Sequence, residues 1–374
     1  MNVLEIAGGF SYSNVYKELF NEIYNKKINI NVYVPQHIDS NIETLNINDY
    51  PYNIYSNRII KSLDKYLYFT KIIKMRKDIE TKFKMNKTEV IHAHSLFSDG
   101  GVAYELYKKY RTPYIVAVRS TDVNQYFKKA KHLKPYVMKI MDNASTIVFL
   151  SKSYRDSVIK TYVSKGIKDE IMRKSIIVPN GISAFWLDNI YVNRPTFKIE
   201  KEIIELIFVG QINKRKNVES VIRVSEKLRN KTGKKVKLTI VGEAKDKEYY
   251  SYVTSIGKFD YKGYCNPEEL IKYYRSADIF VMPSINETFG LVYVEAMSQG
   301  LPVIYTKGQG FDGQFREGDV GYAVNPHNIN DISEKIEIVL RNYDKISKRC
   351  TRNAIKFDWD IIAKDYINLY KSII

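Results

Sequence analysis

Apolar runs that end in turn-type residues alternate with helical patterns along the whole chain. In the second half the runs are IELIFVG, VKLTIVG, ADIFVMP and LPVIYT, and in the first half NVLEIAGG, INVYVP, EVIHAH, TPYIVAVRS and STIVFLS. Strands that are apolar along most of their length are typical of parallel sheets covered on both faces. The pattern therefore predicts an α/β protein with two similar parallel sheets, whose ligands bind at the carboxyl ends of the strands.

Helical spacing is clear near both ends of the chain. After the first strand it appears at Val15, Leu19 and Ile23, and residues 358–374 carry one apolar helical face that must pack on something. A chain of 374 residues exceeds the usual size of one core. The segment VPNGISAFW contains turn residues, so we place the domain junction near residues 179–190.

The formal net charge of +17 is the most unusual feature of the composition. Such a field attracts phosphates, anionic lipid or nucleic acid. A lysine-rich composition from an AT-rich genome is the alternative source of part of the excess. No apolar run approaches the length of a bilayer span, and the start lacks a basic signal-peptide region, so we expect a cytoplasmic protein.

Two stretches of the first half concentrate this charge. Residues 58–87 hold ten Lys or Arg against three acids, and residues 128–139 hold five lysines and no acid. In the first stretch apolar residues fall near helical spacing, at Ile59, Leu63, Tyr66, Leu67 and Ile73. This pattern predicts a basic amphipathic surface that binds the inner face of an anionic membrane, with a solvated helix face as the alternative.

A carboxylate stands at each end of a Gly-containing helix start, at Glu287 and Glu295. The N–H groups near Phe289, Gly290 and Leu291 would lie at the positive end of the helix, which suits a pyrophosphate. Glu287, just before the helix, can accept hydrogen bonds from sugar hydroxyls. Glu295 lies roughly 12 Å further along by helical rise, which suits ribose hydroxyls. The alternative is an ordinary helix flanked by two exposed glutamates.

Cations precede another predicted helix. The strand ending in Val209 and Gly210 is followed by the sequence KRKN at residues 214–217, beside a helix N-terminus. Cations at this end oppose the helix dipole, so stability alone disfavours them. An anionic ligand would remove the conflict.

With these motifs the chain resembles glycosyltransferase family 4, a large family of retaining enzymes with the GT-B fold. The matching elements are Gly8 and Gly9, IHAHS, VPNG, VGQINKRKN, GYCNPEELIKYYRSADIFVMPS, the glutamate pair and the final FDW helix. Together they extend over nearly the whole length. The resemblance implies two Rossmann-like domains facing each other across a cleft. Residues 1–185 would bind the acceptor, residues 186–356 the nucleotide sugar, and residues 357–374 would cross back to the first domain.

The resemblance also implies roles for individual residues. Glu287 would contact the donor sugar, Glu295 the ribose and Lys216 the diphosphate. Further donor-side positions follow from the matching motifs: Phe289, Gly290, Leu291, Val292, Gly8, Gly9, Gln211 and Tyr264.

Two positions depart from the family pattern. A frequent Arg directly after the Val-Gly strand end is Gln211 here, and we expect Arg215, beside Lys216, to replace it, since a guanidinium suits phosphate. A solvated surface Arg is the alternative. A His that sits near the donor sugar in many relatives is Arg119 here, and we expect it to bind a phosphate or an acidic group of donor or acceptor. Its alternative is a structural pair with Asp122.

His92 and His94 share one face of a predicted strand. This spacing can bind a metal, yet no Cys or carboxylate cluster accompanies the two in the sequence, so we expect neither a metal nor another cofactor. We place His94, with Asp122, on the acceptor side and His92 in the core. The sequence DWD at residues 358–360 resembles the DxD of metal-dependent transferases, but it precedes an amphipathic helix that it can cap.

The main prediction is a retaining hexosyltransferase that uses a nucleotide sugar, UDP-linked by the resemblance. Its acceptor would be a glycan or a lipid-linked molecule in the synthesis of a bacterial surface polysaccharide, such as capsule or cell wall. A sugar-nucleotide epimerase or a phosphorylase shares the twin sheets and stays an alternative. A nucleic-acid-binding protein is the alternative of another class, supported by charge alone, and without a recognition motif we expect no nucleic acid.

Overall fold

The computed structural model of the chain describes residues 1–39, 49–198 and 200–374, with Lys65 described by its backbone only. The packing divides these residues into two units. Unit 1 comprises Met1–Leu150, Arg155–Gly181 and Trp359–Ile374, and unit 2 comprises Ser151–Tyr154 and Ile182–Asp358. The sequence patterns predicted the corresponding domain boundaries after residues 185 and 356.

Unit 1 contains a seven-stranded sheet in which every described pair of strands is parallel, in the order β3-β2-β1-β4-β5-β6-β7. The strands are β1 (Asn2–Ile6), β2 (Asn29–His37), β3 (Asn53–Ile60), β4 (Val90–Ala93), β5 (Tyr114–Ala117), β6 (Thr146–Phe149) and β7 (Ser175–Ile177). The two edge strands, β3 and β7, were not predicted. Both are only partly buried. Polar residues interrupt the apolar pattern of β3, and β7 is only three residues long.

Unit 2 contains a six-stranded parallel sheet with the same scheme, in the order β10-β9-β8-β11-β12-β13. The strands are β8 (Ile203–Val209), β9 (Lys235–Val241), β10 (Asp260–Tyr261), β11 (Ile279–Val281), β12 (Val303–Thr306) and β13 (Gly321–Val324). The predicted fold class, two α/β domains with parallel sheets, is confirmed. Again the sequence runs identified the inner strands.

Helices connect and cover the strands. They are α1 (Asn14–Asn25), α2 (Tyr68–Lys82), α3 (Ser98–Tyr110), α4 (Lys134–Asn143), α5 (Lys152–Tyr162), α6 (Lys168–Arg173), α7 (Ala184–Asp188), α8 (Val218–Thr232), α9 (Lys247–Ser255), α10 (Pro267–Ser276), α11 (Leu291–Ser298), α12 (Ile329–Arg341), α13 (Tyr343–Ala354) and α14 (Trp359–Ser372). Both helices predicted near the ends of the chain, α1 and α14, are present. Across the described residues, no helix combines the length and the apolar character that a bilayer span requires.

The basic stretch at residues 58–87 is not one amphipathic helix. Ile59 belongs to β3, a short 3-10 turn covers Ser62–Lys65, and α2 begins only at Tyr68. The helical spacing read across residues 59–73 is therefore wrong, because a strand and a turn occupy its first half. The side chain of Lys65, counted among the cations, lies outside the described residues.

The last helix completes the core of unit 1. Trp359, Ile362 and Tyr370 of α14 are buried in the cluster that also contains the inner faces of α1 and the sheet. The Trp359 indole Nε1–H donates to Glu18 Oε2 at 2.7 Å. The predicted apolar face of this helix is therefore confirmed, and it packs on unit 1.

A buried hydrogen-bond network joins α14 to the sheet. The Tyr370 hydroxyl donates to Glu5 Oε1 at 2.9 Å and lies 2.8 Å from His92 Nδ1. Glu5 Oε2 lies 2.8 Å from His94 Nε2 and 3.1 Å from His92 Nδ1. The sequence shows no Cys or carboxylate cluster beside the two histidines, but in the fold the single carboxylate of Glu5 contacts both. Glu5 is opposite His92 in the register of β1 and β4, a proximity that no local spacing reveals.

Burial and neighbouring groups fix the protonation of this network. Burial, with His92 beside it, lowers the pKa of His94 to about 3. Burial opposes a charged Glu5, but contacts with His92 and His94 outweigh it and lower the pKa of Glu5 to about 2. Near neutral pH the network therefore contains a carboxylate and a neutral His94.

We expect unit 1 to lose stability as the pH falls below about 6.5. The unfolded chain protonates His94 near that pH, whereas the folded chain does so only near pH 3, so acid favours the unfolded state. Glu5 adds to the loss below its ordinary pKa of 4.5. The measurement is urea unfolding at several pH values, followed by Trp359 fluorescence in a Trp186→Phe background, since the chain has two tryptophans.

The matched variant is His94→Gln. It should be less stable at pH 7, because the bond to Glu5 is weakened, but its free energy of unfolding should change less between pH 6.5 and pH 5. An equal slope in the two proteins would show that His94 does not titrate in this way.

Candidate active site

The predicted phosphate site lies where the strand order of unit 2 reverses. There β8 and β11 are neighbours. The chain after β8 carries Lys216, and the chain after β11 carries Glu287. In open α/β sheets ligands bind beyond the carboxyl ends of the strands at such a reversal. Two residues predicted from separate motifs thus meet at the expected place.

Polar side chains fix the loop that carries Lys216. Asn213 Oδ1 accepts the N–H of Lys216 at 3.0 Å. Asn217 has a left-handed backbone with φ 59°, which asparagine tolerates better than most residues. Its Nδ2 donates to the carbonyls of Pro283, at 2.9 Å, and Pro326, at 2.8 Å. The loop is therefore attached to the chain that leaves β11, and α8 begins directly after it.

Lys216 and Glu287 form a partly buried ion pair. Lys216 Nζ lies 2.6 Å from Glu287 Oε2, and the two side chains are 13% and 9% exposed. Met282 Sδ lies 3.8 Å from the same Nζ. Because little water reaches this pair, removal of either partner would leave a costly unpaired charge. The carboxylate predicted to bind the sugar and the cation predicted to bind the diphosphate are therefore neighbours.

A second loop, residues 308–313, supports the backbone of Glu287. Gln309 Oε1 accepts the N–H of Glu287 at 2.9 Å, and the N–H of Gly310 donates to the Glu287 carbonyl at 3.1 Å. A Cβ atom on Gly310 would lie 1.7 Å from the carbonyl oxygen of Thr288. Glycine is thus required for the close approach.

The start of α11 presents backbone N–H groups beside the ion pair. Gly290 precedes the helix with φ 83°, and a Cβ there would lie 2.5 Å from the ring of Tyr293. Tyr293 N–H donates to the Gly290 carbonyl at 3.0 Å, so the N–H groups of Leu291 and Val292 precede the helical ladder. Phe289 is buried among aromatic rings and offers only its backbone to a ligand.

Glu295 is partly buried on α11, one turn beyond its start. It contacts Tyr274 of α10. Burial, with the charge and hydrogen bond of Glu295, raises the pKa of Tyr274 well above its ordinary value. The hydroxyl therefore stays protonated and can donate to the carboxylate. This contact orients Glu295, and its binding of ribose stays a prediction.

The other three donor-side residues of unit 2 are exposed. Arg215 Nη1 donates to the carbonyl of Asn286 at 2.9 Å, so its guanidinium lies beside the segment that carries Glu287. Gln211 Oε1 accepts from Asn213 Nδ2 at 3.4 Å. Tyr264 is 74% exposed. Arg215 is therefore the second cation near the helix start, as its predicted role requires, while contact with a diphosphate stays a prediction.

The remaining predicted residues lie together in unit 1. Gly8, Gly9, His94, Arg119 and Asp122 line one cavity of about 330 Å³. It lies where the strand order of this sheet reverses, between β1 and β4. The roles predicted for these residues, toward the donor for the glycines and toward the acceptor for His94 and Asp122, stay predictions.

Asp122 fixes the loops around this cavity. Its two oxygens accept the N–H groups of Leu96 at 3.0 Å, Phe97 at 3.0 Å and Arg119 at 2.8 Å. The Arg119 side chain turns elsewhere, and its Nε donates to the carbonyl of His94 at 3.2 Å. Arg119 and Asp122 are thus joined by a hydrogen bond from the backbone N–H of Arg119 and not through its guanidinium.

Among the residues that the structure describes, one group of side chains has ligand atoms close enough together to hold a metal ion. Glu5, His92 and His94 each offer an atom within 4.8 Å of the others. These atoms are already hydrogen bonded to one another and to Tyr370. All are fully buried, which suits a core network.

Some residues of both sites were missed in the sequence. Lys71 was counted in the basic surface, yet it is 7% exposed and lines the cavity of unit 1. Its spacing of three and four residues from Tyr68 and Met75, both buried, was a usable signal of burial. Gln309 and Tyr274 act through contacts between distant segments, so no local spacing identifies them.

A known family model covers the site of unit 2. The model described as Glycosyl transferases group 1 matches residues 192–357, which include Lys216, Glu287 and Glu295. Unit 2 carries a group 1 glycosyltransferase domain. The coarser prediction, a glycosyltransferase of GT-B type, is thereby confirmed, while family 4 and retention stay predictions.

Relatives and solved structures resemble the chain beyond the group 1 domain. An uncharacterized glycosyltransferase of Methanocaldococcus jannaschii is 26% identical over 321 residues, 79% of each chain. Sucrose-phosphate synthase from Thermosynechococcus elongatus has a similar fold, with a TM-score of 0.72 at 19% identity over 100% of this chain and 98% of that one. HepE of Anabaena, solved in complex with UDP-glucose, gives 0.64 at 15% identity over 100% of both chains.

We expect Gly310→Ala to destabilise the group 1 domain. The added Cβ would lie 1.7 Å from a carbonyl oxygen, so the loop must move away from Glu287. A loss of about 1–3 kcal/mol is typical of such overpacking. Thermal unfolding by calorimetry measures it. Gly166→Ala is the control, since its Cβ would meet no atom within 4 Å. Equal unfolding temperatures in the two variants would contradict the tight contact.

Proposed function

We propose that the chain is a retaining glycosyltransferase of family 4 that transfers a hexosyl group from a UDP-sugar. Its acceptor is a glycan or a lipid-linked molecule in the synthesis of a bacterial surface polysaccharide. The group 1 domain and the chain-wide resemblance to glycosyltransferases support the reaction class. The UDP-glucose complex of the similarly folded HepE supports the choice of UDP.

One observation carries the proposal, the distance of 2.6 Å between Lys216 Nζ and Glu287 Oε2 at the start of α11. In a sugar nucleotide the anomeric carbon is bonded directly to a phosphate oxygen. Groups that bind the phosphate and the sugar must therefore be neighbours. An ammonium and a carboxylate in contact, beside N–H groups of a helix start, meet this requirement. Glu295 lies one turn further along α11, and we assign the ribose to it.

The chemistry relies on stabilising the leaving group. As the bond between the anomeric carbon and the phosphate oxygen breaks, negative charge grows on the departing diphosphate. Lys216, Arg215 and the N–H groups of Leu291 and Val292 would offset that charge, which is often the largest catalytic effect. The acceptor hydroxyl attacks the anomeric carbon from the face that the diphosphate leaves, and its proton passes to the departing phosphate oxygen, so the configuration is retained.

We expect Glu287→Gln and Lys216→Met each to lower transfer from a UDP-sugar by about a hundredfold or more, the usual loss when one group that stabilises a transition state is removed. The measurement is the rate of sugar transfer, with the products identified by NMR. The matched control is Lys231→Met, which breaks an ion pair of 2.7 Å with Glu337 in the same unit. It should leave transfer unchanged.

Each single variant also leaves one charge unpaired, so loss of folding must be separated from loss of function. The double variant Lys216→Met with Glu287→Gln removes both charges and should recover the unfolding temperature without recovering activity. Transfer near the normal rate in either single variant would refute the proposed site. Formation of an epimer of the donor, without transfer, would favour the alternative of an epimerase.

We further propose that unit 1 binds the inner face of an anionic membrane. An exposed apolar patch supports this, since Leu63, Tyr66, Leu67, Phe69 and Ile73 are each between 43% and 74% exposed. The ring of Phe69 lies 5.0 Å from that of Tyr136 on α4, so the second basic stretch lies beside the patch. A surface that binds anionic lipid usually combines apolar side chains, which enter the bilayer, with lysines, which are attracted to the lipid headgroups.

Not every cation of the first stretch supports this surface. Lys71 is buried, and Lys74 pairs with Asp64 at 2.7 Å. Lys128, Lys129 and Lys131 of the second stretch are exposed. The attraction to lipid would come from these lysines together with the exposed lysines of the first stretch, Lys61, Lys77, Lys82, Lys84 and Lys87. The apolar patch would supply the insertion.

We expect the triple variant Leu63→Ser, Leu67→Ser, Phe69→Ser to bind vesicles of phosphatidylcholine and phosphatidylserine about tenfold more weakly, because less apolar area can enter the bilayer. Co-sedimentation measures the binding. Met172→Ser, also at an exposed position of unit 1, should not change it. Binding that responds neither to phosphatidylserine nor to salt would exclude the membrane proposal.

A further inference from the structure

The cavity of unit 1 contains a lysine on the buried face of a helix. Lys71 lies on α2 with Tyr68, Ile72, Met75 and Ile79, all buried, and is itself 7% exposed. Its Nζ donates to Ser98 Oγ at 2.7 Å and to the Tyr126 hydroxyl at 3.4 Å. Lysine side chains are rarely buried without a charged partner.

In the described part of the chain, no carboxylate lies within ion-pair distance of Lys71. Its neighbours are two hydroxyls and two aromatic rings, those of Tyr68 and Tyr126, with centroids 5.9 Å and 5.8 Å from Nζ. Such contacts offset part of the cost of burying an ammonium. Asp64 and Asp99 act on it only through their charge, from beyond ion-pair distance. An anion in the cavity would complete the site.

A second cation lines the same cavity. Arg119 is partly buried, and its guanidinium uses Nε for the carbonyl of His94 and also contacts the Tyr366 hydroxyl. Neither contact is with a carboxylate. The guanidinium keeps donors for an incoming oxyanion, which it can bind through two parallel N–H groups.

The two acidic residues of the cavity do not cancel these cations. Asp122 already accepts three backbone N–H groups from the surrounding loops. Burial, with the charge of Asp122 nearby, raises the pKa of Asp99 to about 7 against the opposing hydrogen bond of Ser95 and the charge of Lys71, so a large share of Asp99 is neutral at physiological pH. His94 is neutral as well, as described above. The cavity therefore has positive character where Lys71 and Arg119 reach it.

We propose that the acceptor carries a phosphate group, which Lys71 and Arg119 bind in this cavity. The inference rests on the proposed function, because it assigns a chemical class to the acceptor of that reaction. A phosphate has three free oxygens and close to two negative charges, which matches two cations and the hydroxyls of Ser98 and Tyr126 better than a carboxylate does. The volume of about 330 Å³ is at the lower end for sites of small ligands, enough for a phosphate and a sugar ring.

Two kinds of molecule offer this chemistry, a soluble sugar phosphate and a lipid diphosphate. Calorimetric titration with glucose 6-phosphate and with farnesyl diphosphate distinguishes them. Glucuronate, with a carboxylate, and glucose, without charge, are the comparison probes. We expect one phosphate probe to bind the unmodified protein more tightly than both comparison probes.

The decisive variant is Lys71→Met. It should weaken binding of the phosphate probe by about tenfold or more, since a charge-assisted hydrogen bond to the phosphate is lost. Lys77→Met, at an exposed position of the same helix, is the matched control and should change nothing. Lys71→Arg keeps the charge and should restore most of the affinity. If Lys71→Met does not fold, Arg119→Gln tests the same cavity through the other cation.

Three results would overturn the proposal: no binding of either phosphate probe, glucuronate bound as tightly as they are, or phosphate affinity unchanged by substitution of both cations. Lys216→Met separates the two sites, because it should weaken binding of UDP and leave the phosphate probe unaffected. If the protein binds the phosphate probe through Lys71 but neither binds UDP nor turns over a UDP-sugar, the proposed reaction is refuted. The phosphate site in the cavity is then still supported. In assays of transfer, Lys71→Met should raise the acceptor KM and leave the affinity for UDP unchanged.

Discussion

The reversal of strand order within each parallel sheet determines where chemistry can occur in this molecule. Every strand of such a sheet ends on the same edge, and connections on either side of the reversal leave in opposite directions, so a space opens between them. In unit 2 the reversal lies between β8 and β11, and in unit 1 between β1 and β4. The ion pair of Lys216 with Glu287 and the cavity around Lys71 occupy these two positions.

The charged groups at the two positions are balanced differently. In unit 2 a cation and a carboxylate neutralise each other at 2.6 Å. A ligand that separates them must therefore offer an anion to the lysine and hydroxyl groups to the carboxylate. In unit 1 the carboxylate of Asp122 accepts three backbone N–H groups, and the lysine is hydrogen bonded to hydroxyls and not to a carboxylate. The first arrangement suits a sugar linked to phosphate, and the second an isolated oxyanion.

Local patterns were sufficient for the inner strands, for α1 and α14, and for the segment from Glu287 to Glu295. Each depends on apolar periodicity or on residues close in sequence. The sequence did not reveal the edge strands β3 and β13, which are only partly buried, or Glu5 beside His92, which depends on strand register. Nor did it reveal Gln309 beneath Glu287, a contact made across a loop. Lys71 was assigned to the basic surface on its charge alone, although it lies on the buried face of α2.

The return of α14 to unit 1 has a consequence for the order in which the chain is made. A ribosome releases all of unit 2 before it releases Tyr370, whose hydroxyl completes the network of Glu5 and His92. Until then the nascent first unit exposes the apolar surface that Trp359 and Ile362 later cover. Domains generally fold as units during synthesis. Here the translation of unit 1 begins first, but its folding can be completed only after unit 2 has been translated. Until then part of its apolar core stays exposed to water.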